Sequence, residues 1–202
     1  RKNLVLISDE IYEAIVYGSC RHVSPATLSD TIRARTILVN SFSKTYAMTG
    51  WRVGYCVGPS ELIQAMFLVL QQSSRGPATF VQDAGVAALR GPQTCVADMR
   101  REFAARRAQV AEQLQDIPRV HLLLPDGGFF ALVDVRQLGQ SSDEIRRRLL
   151  PECGLVVVHG AAYGPGGEGM LRVSFASGGP TLARGLELLK HGLVAISQDS
   201  PA

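Results

Sequence analysis

Ser41, Ser43, Lys44 and Arg52 fall in one short stretch, directly after the apolar run Thr36-Ile37-Leu38-Val39-Asn40. That spacing sets an amine between hydroxyls and a guanidinium, just past a β-type segment. Hydroxyls and backbone N–H groups in a tight turn suit a phosphate, and an arginine fork can clamp it with two charge-assisted hydrogen bonds. A lysine amine condenses with a carbonyl to a Schiff base, which arginine cannot do. The chain has 21 Lys+Arg, yet only Lys2, Lys44 and Lys190 are lysines. Arginine is therefore the default surface cation here, and Lys44 calls for a reason beyond solvation. The plain alternative is a solvated loop lysine.

Two other positions invite chemistry. Asp9, in Ser8-Asp9-Glu10-Ile11-Tyr12, stands where the first apolar run ends, and ligands bind beyond the carboxyl ends of strands in open α/β sheets. Taken alone, Asp9 reads first as a turn or cap residue. Arg172 is set in Met170-Leu171-Arg172-Val173-Ser174-Phe175. An arginine in an apolar strand is costly unless paired, so its partner is an internal carboxylate or a bound ligand.

The elements that must position these groups can be read from periodicity. Short apolar runs predict strands at Leu4 to Ser8, Thr36 to Asn40 and Val53 to Val57, of the kind covered on both faces. A helix is expected from an N-cap at Ser60 to about Gln72, and a second from Thr79 to Leu89. After the Gly91-Pro92 break a long helix should run from Thr94 to Gln115, with Arg100, Arg101, Arg106 and Arg107 on its solvated face. Beyond Pro118 come strands at Val120 to Leu124, Phe129 to Val133, Leu155 to Val158 and Met170 to Phe175. Helices near Ser142 to Leu150 and Thr181 to Ser197 intervene, as in a small α+β domain.

Three blocks carry a family resemblance. The stretch Ser41 to Gly54 resembles the lysine signature of pyridoxal-phosphate-dependent aminotransferases of the aspartate aminotransferase superfamily (fold type I, class I/II). Ser8 to Tyr12 resembles its Ser-Asp-Glu-x-Tyr block, and Gly160 to Gly169 leading into Arg172 to Ala176 resembles its substrate-carboxylate segment. The blocks agree in order and spacing over nearly the whole chain. The resemblance implies the C-terminal half of an α/β enzyme. Residues 1–91 would be the C-terminal part of a large cofactor-binding domain with a mixed, mostly parallel sheet. Residues 92–202 would be a long interdomain helix and a small C-terminal α+β domain.

The resemblance also implies roles. Lys44 would form the internal aldimine with pyridoxal 5'-phosphate, Asp9 would pair with the pyridine nitrogen and Tyr12 with the ring hydroxyl. Ser41 and Arg52 would hold the phosphate, and Arg172 the α-carboxylate of the substrate. The activity implied is transfer of an amino group from an amino acid to a 2-oxo acid, in a homodimer. A lyase or decarboxylase on the same scaffold, or the cofactor-binding domain of a transcription regulator, are the alternatives. The chain departs from the family in being about half its length, so it is expected to need a missing N-terminal half and to be inactive alone. His159-Gly160 stands where Pro-Gly is frequent, and Asp126 to Phe130 where Gly-Ala-Phe-Tyr is common; His159 reads as a loop residue and Tyr163 is left without a role. The loop Gln71 to Pro77 lies where the family reaches toward its neighbouring subunit, although Arg75 reads first as a surface arginine.

Bulk properties agree with an enzyme. A net charge of +3 with scattered arginines gives nucleic-acid binding little support, and no apolar run approaches the length of a membrane span. Cys20, Cys56, Cys95 and Cys153 are far apart, as for buried or inert thiols in a reducing, cytoplasmic compartment, and the dispersed histidines argue against a metal site. Arg1-Lys2-Asn3 runs at once into an apolar segment, as in a chain that starts in mid-fold, where any targeting segment upstream would not be seen.

Overall fold

Strand pairing in the first part of the chain follows from where the second apolar run begins. The structure, a computed structural model, describes residues 4–199; Arg1, Lys2 and Asn3 lie outside the described residues. The first strand, β1 (Leu6–Asp9), starts later than the sequence suggests, because its ladder opens where Leu6 pairs with Thr36 and binds the Arg35 carbonyl, and the chain before Arg35 is a helical turn instead of a strand. A parallel neighbour requires a crossover. Residues 10–35 supply it, with α1 (Asp30–Arg33) capped by the Ser29 hydroxyl. Then come β2 (Thr36–Ser41), the one-turn α2 (Phe42–Thr45) and β3 (Gly54–Val57), which returns antiparallel to β2. The sheet is thus mixed, in the order β1-β2-β3.

Helices α3 (Ser60–Gln72), α4 (Thr79–Arg90) and α5 (Thr94–Leu114) follow. The chain divides into two units, Arg1–Arg100 and Arg101–Ala202, the division falling within α5. Ser60 is not the N-cap of α3. Pro59 holds that place, and Ser60 is the first helical residue, accepting from Gln64 at 3.3 Å. In the first unit a small core gathers Phe42, Val53 and Val81, with Tyr46, Met48 and Ala88 against it. Gly85 of α4 belongs to it too, since a Cβ there would touch the Phe42 ring at 3.3 Å. The strands are not covered on both faces as expected. Ile7 is 69% and Val57 56% exposed, because among the described residues no element lies over them.

The second unit is an antiparallel sheet packed with two helices and with the part of α5 beyond Arg100, whose Phe103, Val110 and Leu114 are buried. Its strands are β4 (His121–Leu123), β5 (Phe130–Asp134), β6 (Val158–His159) and β7 (Met170–Ser174), in the order β4-β5-β7-β6. Alternation sorts β7: Leu171 and Val173 are buried, while Met170 and Arg172 are half-buried on the other face. Strand β6 is shorter than the run Leu155 to Val158 suggests, since its ladder with β7 begins only at Val158 opposite Arg172. Helix α6 (Ser142–Cys153) opens with a capping box between Ser141 and Glu144, and α7 (Gly179–Asp199) packs on it. Pro151 does not stop α6; its ring angle is helical and only the Arg147 carbonyl loses a donor.

Two further expectations are corrected. Arg106 and Arg107 do not lie on a solvated face: both are half-buried, Arg106 binding Glu102 and the Ala176 carbonyl, and Arg107 donating to the Pro125 carbonyl at 2.8 Å. Cys20, Cys56 and Cys95 are exposed rather than buried, and all four cysteines are free. Among the described residues no helix is long and apolar enough to cross a membrane.

Close packing of α7 on α6 depends on Gly192, where a Cβ would come within 2.5 Å of Leu149 Cδ2 and 2.8 Å of Cys153 Sγ. Gly192→Val should lower unfolding stability by about 1–3 kcal/mol, seen as a lower urea midpoint. An unchanged midpoint would mean that the two helices separate at no cost.

Candidate active site

Because β1 and β2 run parallel, their carboxyl ends share one edge of the sheet, with Asp9 opposite Val39. Strand β3 runs back, so its first residue, Gly54, pairs with Ser41 at that same edge. Three passes of the chain therefore deliver the Asp9–Tyr12 turn, the Ser41–Lys44 turn and the Arg52–Gly54 entry to one place. The approach is tight: a Cβ on residue 54 would stand 2.7 Å from the Asn40 carbonyl oxygen, so only glycine fits.

Ser41 organises the lysine turn. Its Oγ accepts the Ser43 N–H at 3.0 Å, capping α2, and its single hydroxyl hydrogen is shared between the Val53 carbonyl at 3.0 Å and Ser43 Oγ at 2.8 Å. Lys44 is half-buried in the same turn. Arg52 follows in a left-handed conformation, φ 55° and ψ 45°, and Ala47 has φ 54°. Each such conformation costs a non-glycine residue roughly 1–2 kcal/mol, so the loop between them is held by its surroundings. One hold is Arg52 Nη1 donating to the Thr49 carbonyl at 3.0 Å. Its other N–H groups are uncommitted among the described residues.

Ile11, Ser41, Ser43, Lys44, Thr49 and Arg52 line an open hollow of ≈ 380 Å³. Three of the expected site residues thus meet there. Asp9 and Tyr12 do not line it, though Ile11 between them does. The Asp9 carboxylate is exposed and accepts the Ile11 N–H at 3.2 Å, the turn role that its sequence position also allows. Tyr12 is half-buried within the same turn. Arg172 belongs to the second unit. There its guanidinium carbon lies 4.3 Å from the centroid of the Phe130 ring and 4.8 Å from that of Tyr163.

Behind these residues stands a polar network that sequence reasoning missed. Buried Asn40 donates from Nδ2 to Glu13 Oε1 at 2.6 Å and accepts the Ser41 N–H on Oδ1 at 2.7 Å. Glu10, only 3% exposed, accepts from Ser24 Oγ at 2.6 Å and meets His22 Nε2 at 2.7 Å. Burial pushes the Glu10 carboxyl up, but hydrogen bonds from Ser24, His22 and Ser8 outweigh it and hold the group below its ordinary value. Tyr55 responds in the opposite sense: burial and the nearby charges of Glu13 and Glu10 raise its phenol. Glu10, Glu13 and His22 have ligand atoms within 4.8 Å of one another, a cluster that counting histidines overlooked. Hydrogen bonds inside the protein occupy it. A buried asparagine closing an apolar run was the available signal.

Comparisons with known proteins come from sequence and from structure. The family model described as aminotransferase class I and II matches residues 1–186. A probable aspartate aminotransferase of Methanocaldococcus jannaschii is 40% identical over 195 residues, which cover 94% of this chain and 50% of that protein. The crystal structure of an aromatic aminotransferase from Pyrococcus horikoshii OT3 superposes with a TM-score of 0.90 at 37% identity, over 95% of this chain and 51% of that one. A PLP-bound putative aminotransferase from Clostridium difficile 630 shares the fold, with a TM-score of 0.88 at 22% identity, over 95% of this chain and 50% of that one. The chain spans about half the length of the curated relatives it matches.

The Glu10 network makes stability depend on pH. A carboxyl held low when folded adds stability above its unfolded pKa of ~4.3, and that stability is lost as pH falls through the folded value. Between pH 7 and pH 3 the urea midpoint of the wild type should therefore fall further than that of Glu10→Gln. Parallel curves for the two would show that the network adds nothing.

Proposed function

The chain belongs to the class I and II aminotransferase family, and from that membership we propose that it carries the cofactor lysine of a pyridoxal-phosphate-dependent enzyme. The enzyme would move an amino group from an amino acid to a 2-oxo acid. One observation carries the reading: Ser41, Lys44 and Arg52 line a single hollow at the carboxyl edge of the parallel strands. The donor set suits the cofactor. Hydroxyls and an arginine suit its phosphate, an amine its aldehyde, and a carboxylate its ring nitrogen.

Bound pyridoxal phosphate supplies an electron-poor ring that draws charge from the substrate carbon. Lys44 would hold the cofactor through its amine, and its Nζ is the group that would accept and return the proton of the substrate α-carbon. Asp9 would keep a proton on the ring nitrogen, Tyr12 would hydrogen-bond the ring hydroxyl, and Ser41 and Arg52 would hold the phosphate. Turning the Ser41 hydroxyl from a neutral carbonyl to an anion exchanges an ordinary hydrogen bond for one worth about 1 kcal/mol more. Arg172 takes the substrate α-carboxylate with its fork, which fixes the substrate by two points.

On the same reading, residues 1–91 are the C-terminal part of the large cofactor-binding domain and 92–202 the interdomain helix and small domain. An N-terminal half supplies the rest of the site, and the enzyme is a dimer of two such chains. Exposed Ile7, Val57, Phe67, Leu68 and Val69 support a large partner surface, since burying each contributes about 1.5–3 kcal/mol.

In the full enzyme, Lys44→Ala should cut amino transfer by roughly a thousandfold or more, and Lys44→Arg should not restore it. Borohydride reduction followed by peptide mass analysis should put the cofactor on the wild-type peptide containing Lys44. Label on another lysine, or appreciable turnover by either variant, removes Lys44 from its role.

A further inference from the structure

Arg172 differs from the other arginines of its unit. Arg136, Arg146 and Arg148 each pair with carboxylates, whereas the Arg172 guanidinium makes no hydrogen bond or ion pair with any described residue. It is nevertheless half-buried in the middle of an apolar strand, between Leu132 of β5 and Val158 of β6. What it has instead is two aromatic rings, 4.3 and 4.8 Å from the guanidinium carbon. A guanidinium is attracted to ring faces and is weakly enough hydrated to lie against them. A guanidinium laid flat against a ring keeps its in-plane N–H groups as donors, and those match the two oxygens of a carboxylate.

Both rings are set by the fold. Phe130 pairs with Ser174, two residues along from Arg172, so it is the diagonal cross-strand neighbour on the same face of the sheet. Tyr163 ends the 3-10 turn Gly160–Tyr163. That turn is fastened where Gly160 and Gly167 touch through their backbones, leaving no room for a side chain on either. Tyr163 is itself 63% exposed, so its ring is not needed to fill the core.

We infer that Phe130 and Tyr163 are positioning residues that hold the Arg172 guanidinium with its N–H edge presented to a planar carboxylate. The inference rests on the substrate role of Arg172 proposed above and deepens it. It gives Tyr163 a task performed by its ring, not by its hydroxyl.

The test uses the full enzyme with pyridoxal phosphate bound and two unreactive carboxylates, succinate and 3-phenylpropionate, titrated calorimetrically. Whichever binds the wild type more tightly is the probe. Tyr163→Leu and Phe130→Leu should each weaken it about tenfold, while Tyr163→Phe stays within about twofold. The KM of the amino acid substrate should rise in parallel, with the cofactor absorbance unchanged. Reaction of a primary amine that lacks the carboxylate should be unaffected. If Arg172→Leu weakens the probe and Tyr163→Leu does not, the aromatic clamp is wrong while the substrate role of Arg172 stands. Equal losses in Tyr163→Phe and Tyr163→Leu would assign the effect to the hydroxyl and overturn the inference. If Arg172→Leu itself leaves the probe unchanged, the reading of Arg172 falls first.

Discussion

The hydrogen bond from Asn40 to Glu13 joins two segments that lie 27 positions apart in the chain. One end of it is fixed to the turn that follows β1, the other to the last residues of β2. Through its second atom Asn40 also binds the Ser41 N–H, and Ser41 in turn caps the turn that holds Lys44. The placement of the lysine relative to Asp9 and Tyr12 is thus not left to loop flexibility. Breaking a buried polar pair of this kind by deleting one partner costs about 1–3 kcal/mol or more, because the other partner is left without water or a donor. The tie also explains why an asparagine, and not another aliphatic residue, ends the apolar run of β2.

Local structure was largely legible from local signals. The α3 boundaries at Ser60 and Gln72 follow from Pro59 before and a Ser-Ser-Arg-Gly-Pro loop after, both of which act within a few residues. The identity of the N-cap was not, because Ser60 and Pro59 compete for one position and only backbone geometry separates them. That Ser41, Lys44 and Arg52 come together was legible because they sit close together in sequence. Their hollow was not, because it depends on β3 running back against β2, which strand periodicity does not reveal.

What escaped the sequence is long-range. Glu13, Asn40, His22 and Ser24 are ordinary polar residues until the crossover folds back and brings them together. The aromatic neighbours of Arg172 escaped for the same reason: Phe130 and Tyr163 lie 42 and 9 residues from it, and only the β5–β7 register and the glycine contact bring them near. Arginines were misjudged in the other direction. A basic helix face looks solvated by periodicity, yet Arg106 and Arg107 reach carbonyls of loops that periodicity cannot place.

The backbone contact between Gly160 and Gly167 has a consequence for how this protein can change. It works as a clasp: the two ends of the intervening segment are pinned, while Ala161, Ala162 and Tyr163 project from it. A lineage can exchange those projecting residues one at a time without disturbing the frame that presents them. Altering either end of the clasp would move all of them at once. Selection acting on this loop therefore has a short run of adjustable positions, bounded by two that it cannot touch.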